Sequence, residues 1–299
     1  MNRINNLISL WFMIVSAALI AFGSFARKYL IQIDGIYLTM LISFVGGGML
    51  LWWVVSISSF SRIAPSGWRC IFVRVVFSLF AQLLFFVSLS NGSLLITILL
   101  FNTSPLFIPV IRFLFYKQNI SYFNFVCIVI GFLGIYLILG VSKSNVNMYV
   151  FCALFAGVLN AASQVVLYNA SKKEDVFIIN LWIYTFIGIF LLLLLPFNMS
   201  TIPSLSELSM KPLVIWVSIA IIIFGISSQI FRVKAFKHTK DPSLIAPAMY
   251  FSVIVAAMLD IVFYKRAIGL IEMIGIMMIC ISSILSVIKK NVRGNIYGK

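Results

Sequence analysis

Ten apolar runs of membrane-spanning length follow one another along this chain of 299 residues, at 8–26, 36–58, 70–90, 93–114, 122–141, 147–168, 176–196, 213–234, 243–264 and 269–288. A hydrocarbon core about 30 Å thick takes about 20 apolar residues per helix. Only 10% of the residues are charged, whereas a soluble domain carries about a quarter. With 63% hydrophobic residues and a mean hydropathy of +1.13, lipid is the only solvent that suits this surface. The breaks between runs carry turn and charge signals, as in Asn91-Gly92-Ser93, Lys143-Ser144-Asn145 and Lys172-Lys173-Glu174-Asp175. The first run follows only Arg3 and lacks a small-residue cleavage site, so it reads as a retained helix rather than a signal peptide. The fold class expected is an all-α integral membrane protein with ten transmembrane helices.

Net charge is +15. The bases lie in short clusters between apolar runs, which excludes a nucleic-acid-binding face and matches membrane loops. Ten spans sort the loops into two sets. One set holds Arg62, Arg69, Arg112, Lys117, Lys172, Lys173, Arg232, Lys234, Lys237, Lys240 and both termini; the other holds only Arg27, Lys28, Lys143, Lys211, Lys265 and Arg266. The bias places both termini in the cytoplasm. An eight- or nine-helix count would scramble it.

Nothing in the chain provides for catalysis or cofactors. Cys70, Cys127, Cys152 and Cys280 form no CxxC pair, and His238 is the sole histidine. No metal spacing exists, and one loop histidine is a poor acid–base kit. The chain is expected not to be an enzyme and to hold no metal or cofactor.

An internal repeat shapes the functional reading. Phe115-Tyr116-Lys117 recurs as Phe263-Tyr264-Lys265, each copy lying between two apolar helices, with Asn102 opposite Tyr250 and Ser104 opposite Ser252. The repeats are 1–143 and 144–299, five helices each. An odd number of helices starts the second copy from the other side of the membrane. The result is two inverted five-helix repeats, an arrangement common in secondary transporters.

Over residues 8–288 the sequence resembles the drug/metabolite transporter superfamily in its ten-helix EamA-type branch. The resemblance rests on Asn91-Gly92-Ser93, Ser104-Pro105, Phe115–Ser121, Gly131 and Gly134 in the first half. In the second half it rests on Pro242-Ser243, Pro247, Phe263–Gly269 and Gly275. Gln118 and Arg266 stand where the family carries a glutamate. The resemblance implies a secondary transporter in a bacterial cytoplasmic (inner) membrane, working by alternating access of a central cavity and exporting an amino acid or related metabolite. It implies that the fifth and tenth helices are lipid-facing scaffolding. The small multidrug members carry a glutamate in their first helix; here the stretch is Ser16-Ala17-Ala18-Leu19, so proton-for-cation exchange of that kind is not expected. The partners expected are a small-molecule substrate and membrane lipids, with the chain a monomer or homodimer.

Polar groups in hydrocarbon are costly and face protein or a cavity. The expected substrate-binding residues are Asn102, Tyr250, Gln82, Asn160, Trp182, Arg74 and Gln229, with Asp260 as a coupling carboxylate. Each has a plainer role. Asn and Gln act as interhelical glue, Arg74 snorkels to the headgroups, and Asp260 pairs with Lys265 or Arg266. Trp11, Trp52, Trp53, Trp68 and Trp216 read as interface anchors. Pro105, Pro109 and Pro247 should kink their helices. The competing functions are a membrane-embedded enzyme on lipid substrates and a receptor or assembly protein without flux.

Overall fold

The computed structural model describes residues 2–57, 63–117, 122–141, 148–197, 212–239, 245–266 and 269–296, and helix is the only regular structure among them. Gln118, Pro242-Ser243 and the bases Arg62, Lys143, Lys211 and Lys240 lie outside the described residues, as do the side chains of Pro109, Arg112 and Pro247.

Helix α1 (Asn2–Leu41) bends once, at Gly35, where φ is 80° and ψ 171°. Residues with a Cβ avoid that region. The Thr39 hydroxyl caps the bend by donating to the Gly35 carbonyl at 2.7 Å. Residues Arg27 to Ile33, expected in a connection after position 26, therefore stay helical. Hydropathy falls there, yet nothing breaks the helix before Gly35, and Lys28 is buried.

Beyond the bend come a π-helical turn, Ile42–Gly46, and α2 (Gly47–Ile57). A π turn adds one residue to the helix and often marks a functional site. Gly47 is glycine for a steric reason: a Cβ there would lie 2.5 Å from a ring carbon of Tyr184.

Next are α3 (Trp68–Asn91) and α4 (Leu94–Phe101), the latter capped by Ser93, whose side chain accepts from the Ile96 N–H. A break at Asn102-Thr103 precedes α5 (Ser104–Tyr116). The break suits Pro105, which lacks an N–H to continue a helix. Gly157 packs against it: a Cβ would stand 2.5 Å from the Leu100 carbonyl oxygen. Helices α6 (Tyr122–Val141), α7 (Met148–Ser171), α8 (Val176–Leu193) and α9 (Pro212–His238) follow. A 3-10 turn at Ala246–Tyr250, with Pro in its first positions, leads into α10 (Phe251–Tyr264), and α11 (Leu270–Ile296) ends the described chain.

Among the described residues five apolar helices are long enough to cross a membrane, Leu7–Ile57 among them with 51 residues, and four shorter apolar helices accompany them. Trp53, Phe155, Trp216 and Leu270 stand exposed on the outside, a surface that water would penalise. The chain is a multi-pass membrane protein.

The main packing is reciprocal: α1 lies on α9 and α3 on α7, while α2 meets α8, α4 meets α10 and α6 meets α11. Exchanging each helix for its counterpart in the other half turns α1–α9 into α7–α3 and leaves the rest unchanged. The repeat also shows in the backbone. Lys117 (φ 50°) and Lys265 (φ 49°) are the two non-glycine residues with positive φ among those described, and both follow Phe-Tyr. In α6 and α11 the close approach comes from glycine, since a Cβ on Gly134 would lie 2.8 Å from the Gly275 oxygen.

Candidate functional site: a closed polar cavity

Three helices each contribute a polar stripe at helical spacing, and a fourth adds one residue. On α3 it is Arg74, Ser78 and Gln82; on α7, Asn160, Ser163 and Gln164; on α9, Gln229 and Arg232; α8 adds Tyr184. Residues three and four apart share a helix face, so these stripes converge on one closed cavity of about 30 Å³ that also touches Phe44 of the π turn. That volume holds about one or two waters, far less than a metabolite.

Few of these groups are satisfied by protein. Ser78 and Ser163 share a hydrogen bond of 2.7 Å, and the Gln164 amide donates to Ser104 at 3.1 Å. Without a partner are Arg74 Nε and Nη1, Asn160 Nδ2, Gln164 Oε1, Gln229 Oε1 and Arg232 Nε. More than nine in ten buried polar groups normally have one, and each lapse costs about 1–3 kcal/mol. Concentrated around one cavity, such lapses mark a site rather than poor packing. Arg27 comes in from α1, its guanidinium 5.7 Å from the Phe86 ring centroid. Its Nη2 and the Tyr184 hydroxyl both press on Gly225, at 3.0 and 3.4 Å from where a Cβ would stand.

Each end of the bundle is tied by its own polar latch. At the end bearing Gly92, Lys28 donates to the Gly92 carbonyl at 2.9 Å and lies 4.4 Å over the Tyr264 ring. Asp260 accepts from the Leu95 N–H at 2.9 Å and sits 3.7 Å from Arg266, which bonds Ser93 at 2.6 Å and Glu272 at 2.7 Å. At the opposite end Glu174 accepts from the Ser66 and Gly67 N–H groups at 2.7 and 2.9 Å, and from the Ser66 hydroxyl. Lys172 donates to the carbonyls of Lys237, at 2.8 Å, and Thr239. Partial burial holds the Lys172 ammonium below its ordinary pKa.

A larger recess of about 650 Å³ opens at the Gly92 end, lined by Gly35, Tyr37, Met40, Leu83, Asn91 and Leu191 among others. Met40, Leu83 and Leu191 lie within a turn of Phe44, Gln82 and Ile187 of the closed cavity.

Of the residues expected at a site, Arg74, Gln82, Asn160 and Gln229 line the cavity together. Asn102 is elsewhere, donating to the Ser252 hydroxyl at 2.6 Å as a link between α4 and α10. Tyr250 is buried in the 3-10 turn, which packs on α1 and α11. Trp182 belongs to the Glu174 end, where its indole donates to the Ile63 carbonyl at 2.9 Å and stacks edge-on to Trp68. Asp260 sits in the latch. Alignment across the repeat picks out the seam between halves, and the seam contains both glue and cavity. Arg74 is 3% exposed, so it does not snorkel. Arg27 is expected in the connection after position 26 and Arg232 among the cytoplasmic charges at the end of the run 213–234; the structure turns both inward. The available signal was spacing, since Arg232 lies one turn from Gln229 on α9.

The comparisons with known proteins agree with this architecture. The EamA-like transporter family matches residues 7–140 and again 147–288. No curated protein matches the sequence. A crystal structure described only as that of a protein shares the fold, with a TM-score of 0.65 at 13% identity over 92% of this chain and 94% of its own. With both halves matched and nearly the whole chain covered, this protein belongs to the EamA-like transporter family.

Proposed function

We propose that the protein is a secondary transporter moving a small metabolite across a bacterial cytoplasmic membrane by alternating access. Ten spans, two of them joined at the Gly35 bend, form inverted repeats 1–143 and 144–299, with both termini cytoplasmic. The closed cavity between the halves is the substrate site, held by Arg74, Gln82, Asn160 and Gln229. Asn102, Tyr250 and Trp182 support it from the seam and the ends, and Asp260 belongs to the external latch. The observation that carries this reading is a buried cavity rich in unpartnered polar groups, drawn from both halves, between two separate latches. Opening one latch at a time would expose the site to one side and then the other. The resemblance to family members that export amino acids and related metabolites favours outward movement of a cargo of that kind.

Flux in proteoliposomes tests it. Saturable counterflow of a metabolite is expected, reduced at least tenfold by Gln82→Leu or Asn160→Leu in protein that still folds. A folded protein that moves nothing from a broad metabolite panel would sink the transporter reading.

A further inference from the structure

We infer that the cargo is a small organic dianion, a phosphate monoester or a dicarboxylate, gripped by Arg74 and Arg232, with Arg27 adding positive charge near Tyr184. This rests on the transporter reading for the word cargo, and on the geometry of the cavity for the rest.

Arg74, Arg232 and Tyr184 line one cavity, and Arg27 Nη2 and the Tyr184 hydroxyl both approach Gly225. Arg74 and Arg232 are 3% and 5% exposed and line the same small cavity, where like charges repel. Arginine stays charged when buried, and an uncompensated buried charge is among the costliest features a fold can carry. Among the described residues no carboxylate compensates them; Glu207 and Asp241 lie outside the described residues. Among the described residues the ion pairs run from Arg266 to Asp260 and Glu272, at the Gly92 end. Glu174 is engaged at the opposite end, Asp175 caps α8, and Asp34 lies beside the Gly35 bend. Among the described residues no carboxylate lines the cavity.

Arg74 Nε and Nη1 and Arg232 Nε are donors without partners. Guanidinium N–H pairs match the oxygens of carboxylates and phosphates two at a time. An anion seated between Arg74 and Arg232 would accept those bonds and relieve their repulsion. Two arginines in the lining, with Arg27 near Tyr184, suit a dianion better than a monoanion. The unpartnered oxygens of Gln164 and Gln229 and the Asn160 amide add acceptors and a donor, which fits a cargo that also carries hydroxyl or amino groups.

The test uses the purified full chain in nanodiscs of zwitterionic lipid at constant ionic strength. Melting is followed with glycerol 3-phosphate, malate, glutamate, inorganic phosphate, chloride, putrescine and glucose. A ligand that binds only the folded state raises the melting temperature. We expect a phosphate monoester or a dicarboxylate to stabilise the protein, and the comparison of the two separates the sources of the dianion. Arg74→Gln and Arg232→Gln should abolish that stabilisation, and Arg74→Lys should weaken affinity at least tenfold. Without ligand, both Gln variants should melt above the unmodified protein, because they remove an unpaired buried charge.

Lower melting of the ligand-free Gln variants would overturn the inference, since it would reveal an existing structural partner. So would equal stabilisation by chloride, or stabilisation by putrescine or glucose that survives Arg74→Gln. Liposome flux keeps the two readings apart. Transport of a cation that persists in the Gln variants defeats the dianion and leaves transport standing; dianion binding without flux does the reverse.

Discussion

Lys117 and Lys265 adopt a left-handed backbone that costs a residue with a Cβ about 1–2 kcal/mol. Both side chains are exposed, so glycine would lose little contact there. Glycine gives back about 0.5–1 kcal/mol through the freedom of the unfolded chain. Lys117→Gly and Lys265→Gly should therefore each stabilise by roughly 0.5–1 kcal/mol, seen as a higher melting temperature in detergent, additively in the double variant. A left-handed lysine of this kind cannot be read from hydropathy; only the repeated Phe-Tyr-Lys hinted at it. The cavity was partly legible at the same scale. Arg74, Gln82, Asn160 and Gln229 stood out because a polar group deep in an apolar run needs a reason. Arg27 and Arg232 did not, because an arginine near the end of a run also marks a loop. Which way such a residue turns is decided by the helix opposite, and that partner is not visible locally.

Helices α3 and α7 show why stripes rather than single residues make the site. Arg74, Ser78 and Gln82 recur every four residues, and Ser78 reaches Ser163 across the contact. Each element ends where backbone chemistry ends it. Hydropathy located the apolar middle of α1, while Gly35 set its limit, well past the loss of apolar character. The interruption between α4 and α5 was foreshadowed by Pro105, though its place at Asn102-Thr103 depends on Gly157 of a neighbouring helix. The latches belong to this scale too, since each joins helix ends rather than single residues. Arg266→Ala should release the Gly92 end, and Glu174→Ala the other. With Cys70, Cys127, Cys152 and Cys280 replaced, a cysteine at Gln82 should become more reactive to an impermeant thiol reagent from one side in the first variant. In the second variant the gain should appear from the opposite side. The same change in both variants would show that the latches do not control separate openings.

The reciprocal pairing of helices is the clearest sign of the repeat at the scale of the whole molecule, and it outlasts the sequence similarity that produced it. Three matching residues and two aligned pairs were enough to suggest two halves. They could not show how thoroughly the halves interleave, because interleaving is a property of pairs that lie far apart in sequence. Every principal contact, α1 with α9, α3 with α7, α4 with α10, α6 with α11, joins one half to the other. Synthesis meets this arrangement in order. A ribosome that has just completed α6 has released helices whose main partners do not yet exist, so tertiary folding must wait for the second half, during which the early helices depend on lipid or on membrane chaperones. Long-range contacts of this kind slow folding and leave intermediates exposed. Residues 1–143 made alone should be degraded or aggregate, whereas the same segment coexpressed with 144–299 should accumulate as a stable pair recovered by a tag on either piece. A first half that is stable by itself would mean that it owns a core which these contacts do not reveal. With neither half stable alone, quality control in the cell meets this protein as a finished product or as nothing, since a truncated chain offers no partly folded domain to salvage.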